Sequence, residues 1–395
     1  MNKQLALIAT AALACVGSVH AQNAVTIYGA LDAGVLNLSS TSGVTGTTGN
    51  YFPTLTDSGK FTGVKDGGIG GSNIGLKGER DMGNGNKAYF QLQGSLRLND
   101  GKLGGATSAG LDNNFNQIAL IGLSGKAGDV KLGRQVSPMY FAFASTDARG
   151  ARNFGSTLTA LVGMNSASRA FSGAGNAVFG TVYNDNSLTY TAPKFANTTV
   201  SLQHVFGNTN GSDSANAQDA ITALYSNGGL RLSALYYNGK GNASATLPAP
   251  GNVASANNNR LTSLGALYTT GPWTVSFATF DGKIPSGAQV AASNGIVAGS
   301  THMTTNAFGL AYAINADLKL SGGFYELKDK TNAGNKAKQT AISLDYNMFK
   351  DTIAYVQAAS TTNVGSNMNL SPVFATTVAA GKNNTATMIG VRYTY

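Results

Sequence analysis

The sequence predicts an all-β chain: a sixteen-stranded antiparallel transmembrane β-barrel with an inward-folded third loop. Three observations carry that reading. Apolar and neutral polar residues alternate with period two in segment after segment, and no sustained helical period appears beyond the N-terminal leader. Connections alternate between short turns and long polar stretches. Charge is scarce: 11% of residues are Asp, Glu, Lys or Arg, whereas 51 of 395 are Gly. That is too little charge for the surface of an ordinary soluble enzyme, and a mean hydropathy near zero does not suit a disordered chain.

The first element is a leader. Lys3 supplies a positive start, Leu5 to Val16 an apolar run, and Val19-His20-Ala21 a small-residue cleavage site before Gln22. The run is too short to span a bilayer, and Ala12 stands where a lipoprotein signal at Cys15 would want Leu. The expected division is a cleaved segment 1–21 and a barrel 22–395. Cleavage removes Lys3, which lowers the formal charge of +9 by one, and Cys15, the single cysteine. Neither disulfides nor thiol chemistry then remain.

The strands follow. In VTIYGALDAGV, Val25, Ile27, Gly29, Leu31, Ala33 and Val35 share one face, with Thr26, Tyr28, Ala30 and Asp32 on the other. The same alternation runs through LTYTA (188–192), LRLSALYY (230–237), WTVSFAT (273–279), DLKLSGGFY (317–325) and TAISLDY (340–346). The chain ends on TATMIGVRYTY, with Thr387, Ile389, Val391, Tyr393 and Tyr395 on one face. Termini usually fray, so a strict strand at the very end needs a partner.

Seven short connections carry tight-turn chemistry: 81–86, 124–129, 193–197, 226–229, 270–272, 314–317 and 347–351. They bracket fourteen strands, and the first and last bring the count to sixteen. Long Gly, Ser, Thr and Asn-rich loops are expected between them, at 37–60, 99–113, 207–216, 239–257, 283–301, 329–337 and 361–384. One connection, 136–184, runs to about fifty residues, more than a structureless loop in a compact domain.

Short turns at one end and long loops at the other are the pattern of an outer-membrane barrel. Aromatics near strand ends (Tyr236, Trp273, Tyr346, Tyr393, Tyr395) fit an interfacial girdle. In hydrocarbon an open sheet edge leaves backbone groups unpaired at several kcal/mol each, so the sheet must close. Closure pairs the last strand with the first and makes Tyr28, Tyr393 and Tyr395 residues of the seam. Sixteen strands are too wide to fill with side chains and leave an aqueous channel. Segment 136–184 can fold inward and narrow it.

VTIYGALDAGV (25–35), SNIGLKGERDMGNGNKAYFQLQ (72–93), NQIALIGLSGKAGDVKLGRQ (116–135), NSLTYTAP (186–193) and the terminal GVRYTY together resemble the general trimeric porins of Gram-negative bacteria, of the beta-proteobacterial and neisserial type. The resemblance covers nearly all of the chain after the leader. It implies a homotrimer of sixteen-stranded barrels, an inward third loop and passive diffusion of small hydrophilic solutes and inorganic ions. The implied surroundings are outer-membrane lipid and lipopolysaccharide, with the barrel-assembly machinery engaging the C-terminal strand. Departures are Asn73 and Gln117, where the family often has Arg at or near these places, and Tyr395, where the last residue is usually Phe.

Alternation assigns the lumen face. Asn73, Lys77 and Glu79 point inward with Ile74 and Leu76 outward; Tyr89, Gln91, Gln93, Ser95 and Arg97 point inward with Phe90, Leu92, Leu96 and Leu98 outward. Arg392 points inward between Val391 and Tyr393. An Arg or Lys facing lipid at the midplane would cost about 2–4 kcal/mol, which favours the lumen. Strict alternation puts Arg134 with Val130 and Leu132, so it reaches the channel only through a bulge near Gly133. The resemblance places the Arg of LGRQ in the pore wall. The expected constriction is Lys77, Arg97 and Arg134 on the wall, with Asp147, Arg149 and Arg152 on the loop. Asn73, Tyr89, Gln91, Gln93 and Arg392 line the pore. A cationic ring in a narrow aqueous pore favours anions.

No metal-spaced cluster, HExxH or G-x-S-x-G stands in the sequence, no enzyme chemistry is read, and no cofactor or metal is expected. His204 lies by parity with Val200, Leu202 and Phe206, an interface place rather than a catalytic one. Gly-rich runs such as GGIGGSNIG are not phosphate loops, because no helix follows to cradle an anion. Dispersed charge and export argue against nucleic acid. Two function classes stay open: a passive-diffusion porin of modest anion preference, and a non-conducting barrel serving as adhesin or structural protein. A substrate-specific channel would need a file of lumen aromatics, and Tyr28, Tyr89, Tyr237 and Tyr325 are too scattered for one.

Overall fold

The computed structural model describes residues 25–45, 54–106, 112–168, 179–208, 217–240, 259–284, 302–376 and 378–395. The leader expected over 1–21 lies outside them. The wall strands are β1 Val25–Thr45, β2 Thr54–Asp66 and Asn73–Gly83, β3 Asn86–Ser95, β4 Ile118–Gly125, β5 Gly128–Val136, β6 Tyr183–Thr191, β7 Thr198–Val205 and β8 Gln218–Asn227. They continue as β9 Leu230–Gly239, β10 Asn259–Thr270, β11 Trp273–Lys283, β12 His302–Ala313, β13 Leu318–Asp329, β14 Lys336–Phe349, β15 Thr352–Val364 and β16 Asn384–Thr394. The two segments of β2 lie end to end along β1: Thr54–Asp66 pairs with its upper half and Asn73–Gly83 with its lower half. The sheet's seventeen hydrogen-bonded segments are therefore sixteen wall strands.

Every neighbouring pair is antiparallel, and β16 closes on β1. Leu31 faces Tyr393, and the amides and carbonyls of Gly29 and Tyr395 exchange hydrogen bonds of 3.1 Å. The terminal aromatic residue is thus stitched to the start of the barrel. All seven short connections stand where turn chemistry placed them. In the first, Asn84 and Gly85 both adopt positive φ, 56° and 79°, as a two-residue hairpin turn requires.

Large apolar side chains of the outward parity, such as Ile27, Leu132, Leu264, Ile342 and Ile389, are half or more exposed. They form the surface that hydrocarbon covers. The packed core lies inside the barrel. Helix α1 (Pro138–Ala144) rests on β8 and β9, and helix α2 (Thr157–Ser168) on β12 and β13. Met139, Phe143, Leu161 and Met164 are buried there against Tyr237, Phe280, Tyr325 and Leu327. Ser137 caps α1 through its Oγ, which accepts from the Met139 amide, and Pro138 occupies the first turn.

Two expectations change. Segment 37–60 is not one loop, since β1 runs on to Thr45 and β2 starts at Thr54. The third connection is not strand-free coil but carries two helices.

Candidate functional site: the lumen and its constriction

Loop 136–184 is fastened to one side of the barrel by the three charges expected on it. Asp147 accepts hydrogen bonds from the amides of Arg149, Ala151 and Thr157 at 2.9, 3.2 and 3.0 Å, tying the turn to the start of α2. Arg149 is 2% exposed. Its Nε donates to the Gly155 carbonyl, Nη1 to the Ser321 carbonyl and Oγ, and Nη2 to the Phe154 carbonyl and Ser343 Oγ, over 2.6–3.3 Å. Every donor of the guanidinium is used. Burial pushes its pKa down to about 10, so it stays charged at neutral pH. Arg152 makes a two-pronged pair with Asp345 on β14 at 3.1 and 2.7 Å and a further bond to Gln357 on β15. Sequence placed Asp147, Arg149 and Arg152 among the constriction charges. The structure places them beneath the loop as its anchors, where solvent is excluded and each polar group is engaged.

Both inner helices pack away from the wall that runs from β16 through β1 to β6. Lys77 is exposed and sits 5.3 Å from the centre of the Tyr28 ring. Among the described residues no carboxylate pairs with it. Tyr28 Oη donates to Gln93 at 2.9 Å and accepts from Gln91 at 2.7 Å, while Gln93 donates to Gln117. Tyr89 bonds Asp129, which also pairs with Lys131 at 3.4 Å. Asn73 is half-buried and bonds the Gly71 carbonyl. Of these, Tyr28, Asn73, Lys77, Tyr89, Gln91 and Gln93 are the residues that the sequence alternation pointed inward.

Arg134 reaches the lumen by the bulge foreseen at Gly133. The β5–β6 register slips between Gly133 and Gln135, and Gly133 has φ 114°. Its guanidinium pairs with Asp185, donates to the Asn116 carbonyl at 2.7 Å and lies over the Tyr183 ring. Two cation–ring contacts mark this side of the lumen, Lys77 on Tyr28 and Arg134 on Tyr183. Tyr183 opens strand β6 ahead of the alternating LTYTA, which hid its contact with Arg134 from the sequence.

Arg97 is displaced from its expected place. Wall strand β3 ends at Ser95, because the chain beyond it turns back, Leu96 bridging Leu103 and the Arg97 amide donating to the Lys102 carbonyl. Arg97 is exposed in this mouth loop and pairs with Asp100 at 2.5 Å.

One residue that alternation passed over organises the seam. Asp32 on β1 is fully buried. The break in β2, Gly67 to Ser72, wraps its carboxylate: the amides of Gly68, Ile69 and Gly70 donate at 3.0, 2.9 and 2.9 Å. Tyr355 Oη donates at 2.7 Å, and Arg392 completes the set at 3.3 Å. A side chain at Gly68 would strike the Tyr355 hydroxyl. The GGIGG run thus cradles an anion without a helix, and the anion is the protein's own. No signal local to the run could reveal it, because the acid comes from the neighbouring strand.

These features define a closed transmembrane β-barrel with an aqueous lumen, half occupied by an anchored loop and half lined by lysine, arginine and tyrosine. The chain matches the model of the Gram-negative porin family over residues 6–366 and belongs to that family. It is 25% identical to outer membrane porin protein 32 of Delftia acidovorans, over 98% of this chain and 99% of that one. It is 27% identical to the major outer membrane protein P.IB of Neisseria meningitidis, covering 91% and 92%. Among solved structures, the anion-selective porin from Comamonas acidovorans superposes with TM-score 0.71 at 22% identity, over 94% of this chain and 99% of that one. A trimer form of OmpT from Vibrio cholerae superposes with TM-score 0.59 at 12% identity, over 94% and 99%. The protein is an outer-membrane channel for passive diffusion.

Proposed function

We propose that this porin passes small hydrophilic solutes and inorganic ions with a modest anion preference set at the open wall by Lys77, Arg134 and Arg392. The observation that carries the reading is Lys77: an exposed lumen cation without a carboxylate partner among the described residues. Preference is modest because Arg134, Lys131 and Arg392 each stand beside a carboxylate, Asp185, Asp129 and Asp32. Their paired fields largely cancel, and salt screens what remains over about 8 Å at physiological strength. Arg97 acts in the mouth, at the entry rather than the narrowest point.

The rest of the reading follows the family. Segment 1–21 is a cleaved leader, the barrel assembles as a homotrimer, its C-terminal strand is the signal for assembly in the membrane, and lipid and lipopolysaccharide surround it. The anion selectivity of the Comamonas porin supports the sign of the preference, and the trimer form of OmpT supports the homotrimer. The test is the reversal potential of the reconstituted protein across a salt gradient. An anion sign is expected; a cation sign would overturn the assignment, and a folded barrel that never conducts would favour the adhesin class.

A further inference from the structure

The outer face concentrates its charge in one sector; elsewhere it carries isolated cations such as Lys60 and Arg80 on β2. His204, Asp219, Asn238, Arg260, Lys283 and His302 lie in direct register on β7 to β12, one per strand. Each has the parity of the lipid-facing Leu202, Ile221, Tyr236, Leu264, Phe277 and Phe308. The row continues on β13 and β14, where Lys328 faces Lys336 and Glu326 faces Lys338. Lys330 follows, its amide bonded to the His302 carbonyl. At the same end of β15, β16 and β1, the outward residues are uncharged: Ser360, Thr362, Thr385, Thr387, Asn37 and Ser39.

Height places the row. On β11 and β12 it stands ten residues from the Trp273–Tyr312 pair at the short-turn end. At about 3.3 Å per residue and a tilt of about 40°, that is about 25 Å, the height of a barrel's apolar band. The row thus stands at the outer rim of the hydrocarbon, outside the pore.

Its charge is in surplus. Asp219 is engaged by His204 at 2.7 Å and Lys240 at 3.7 Å; Asp281 by His302 at 2.8 Å and Lys283 at 3.3 Å; Glu326 by Lys328 at 2.7 Å. Arg260, Lys330, Lys336 and Lys338 are exposed and have no carboxylate within ion-pair distance among the described residues. Arg260 directly opposes Lys283, and Lys328 opposes Lys336. Like charges directly opposite each other destabilise a sheet, so the row needs an anion from outside the chain. At that height on the lipid face, the anions within reach are headgroup phosphates.

We infer that the outward row from Arg260 to Lys338 binds the phosphates of phosphorylated glycolipid headgroups in the outer leaflet. The inference rests on the outer-membrane reading and deepens its lipid contact into a site. It is tested on full-length refolded protein in detergent, titrated with diphosphoryl lipid A, its dephosphorylated counterpart and inorganic phosphate. Two double variants are compared, Arg260→Ser with Lys283→Ser, and Lys328→Ser with Lys336→Ser. Wild type is expected to hold the diphosphoryl lipid at least tenfold more tightly than the dephosphorylated one. Each variant is expected to lose about tenfold for the phosphorylated lipid, with single-channel conductance unchanged. Equal binding of both lipids, or variants that conduct normally and bind like wild type, would overturn the site. Competition by millimolar inorganic phosphate would make it a free-anion site instead and overturn the lipid assignment. Loss of conductance in the wild type would count against the channel, not the site.

Discussion

Arg149 and Arg152 on the loop and Lys77 on the far wall are all lumen cations, yet they do opposite work. The arginines are 2% and 7% exposed and bonded to β13, β14 and β15. Lys77 is exposed and leans on a tyrosine ring. The planar, multi-donor guanidinium suits the first task, fixing a loop to several acceptors at once. A single mobile ammonium suits the second, leaving its field in the water. A count of lumen cations is therefore a poor guide to selectivity; solvent contact and partner charge decide which ones an ion feels.

The largest expected effect breaks the anchored side. Arg152→Ala leaves Asp345, of which 12% of the side chain is exposed, without its partner, and loss of one member of such a pair costs about 3–5 kcal/mol. The temperature at which the barrel loses its heat-resistant mobility on gels should fall, and single-channel conductance should become noisy as the loop loosens. A variant with wild-type noise and melting would show that the loop is held by its apolar face alone.

Next comes the seam. Asp32→Asn keeps the shape but halves the acceptor capacity facing three amides and Tyr355. A charge-assisted hydrogen bond contributes about 1.5–3 kcal/mol, so the loss should be of that order. Urea unfolding in detergent reads it, and Arg392, left without its counter-charge, should raise the anion preference.

Two smaller effects sharpen the open side. Lys77→Gln removes one charge about 6 Å from the ion path, worth about 0.7 kcal/mol unscreened in water, and should lower the anion-to-cation permeability ratio about threefold in 0.1 M salt. The paired neutralisation of Arg134→Gln with Asp185→Asn keeps the net charge and should shift the ratio least. If the double variant moves selectivity more than Lys77→Gln, the pair is not field-neutral and the comparison fails.

Much of this was legible in the sequence. Period two gave the faces of Lys77, Gln91, Gln93 and Arg392, and turn residues gave all seven short connections. Gly133 announced the bulge that turns Arg134 inward. What escaped has physical causes. Helix α2 is enclosed by wall and loop, so Leu158, Thr159, Ala160 and Leu161 are all buried in succession and no 3.6-residue stripe appears. The β1–β2 hairpin continues past the apolar band in Ser, Thr and Gly, the composition of a loop. Arg97 keeps strand parity in sequence, but hydrogen bonds to 102–104 end its strand first. The roles of Asp32 and Arg149 depend on acceptors and donors from distant strands, which no local pattern encodes.

The most direct test of the open-wall account is the reversal potential across a tenfold KCl gradient, measured on wild type and Lys77→Gln in the same bilayers. The account predicts an anion-selective sign for wild type and a clear shift toward zero for the variant. A wild-type potential of cation sign, or identical potentials for the two proteins, would contradict it.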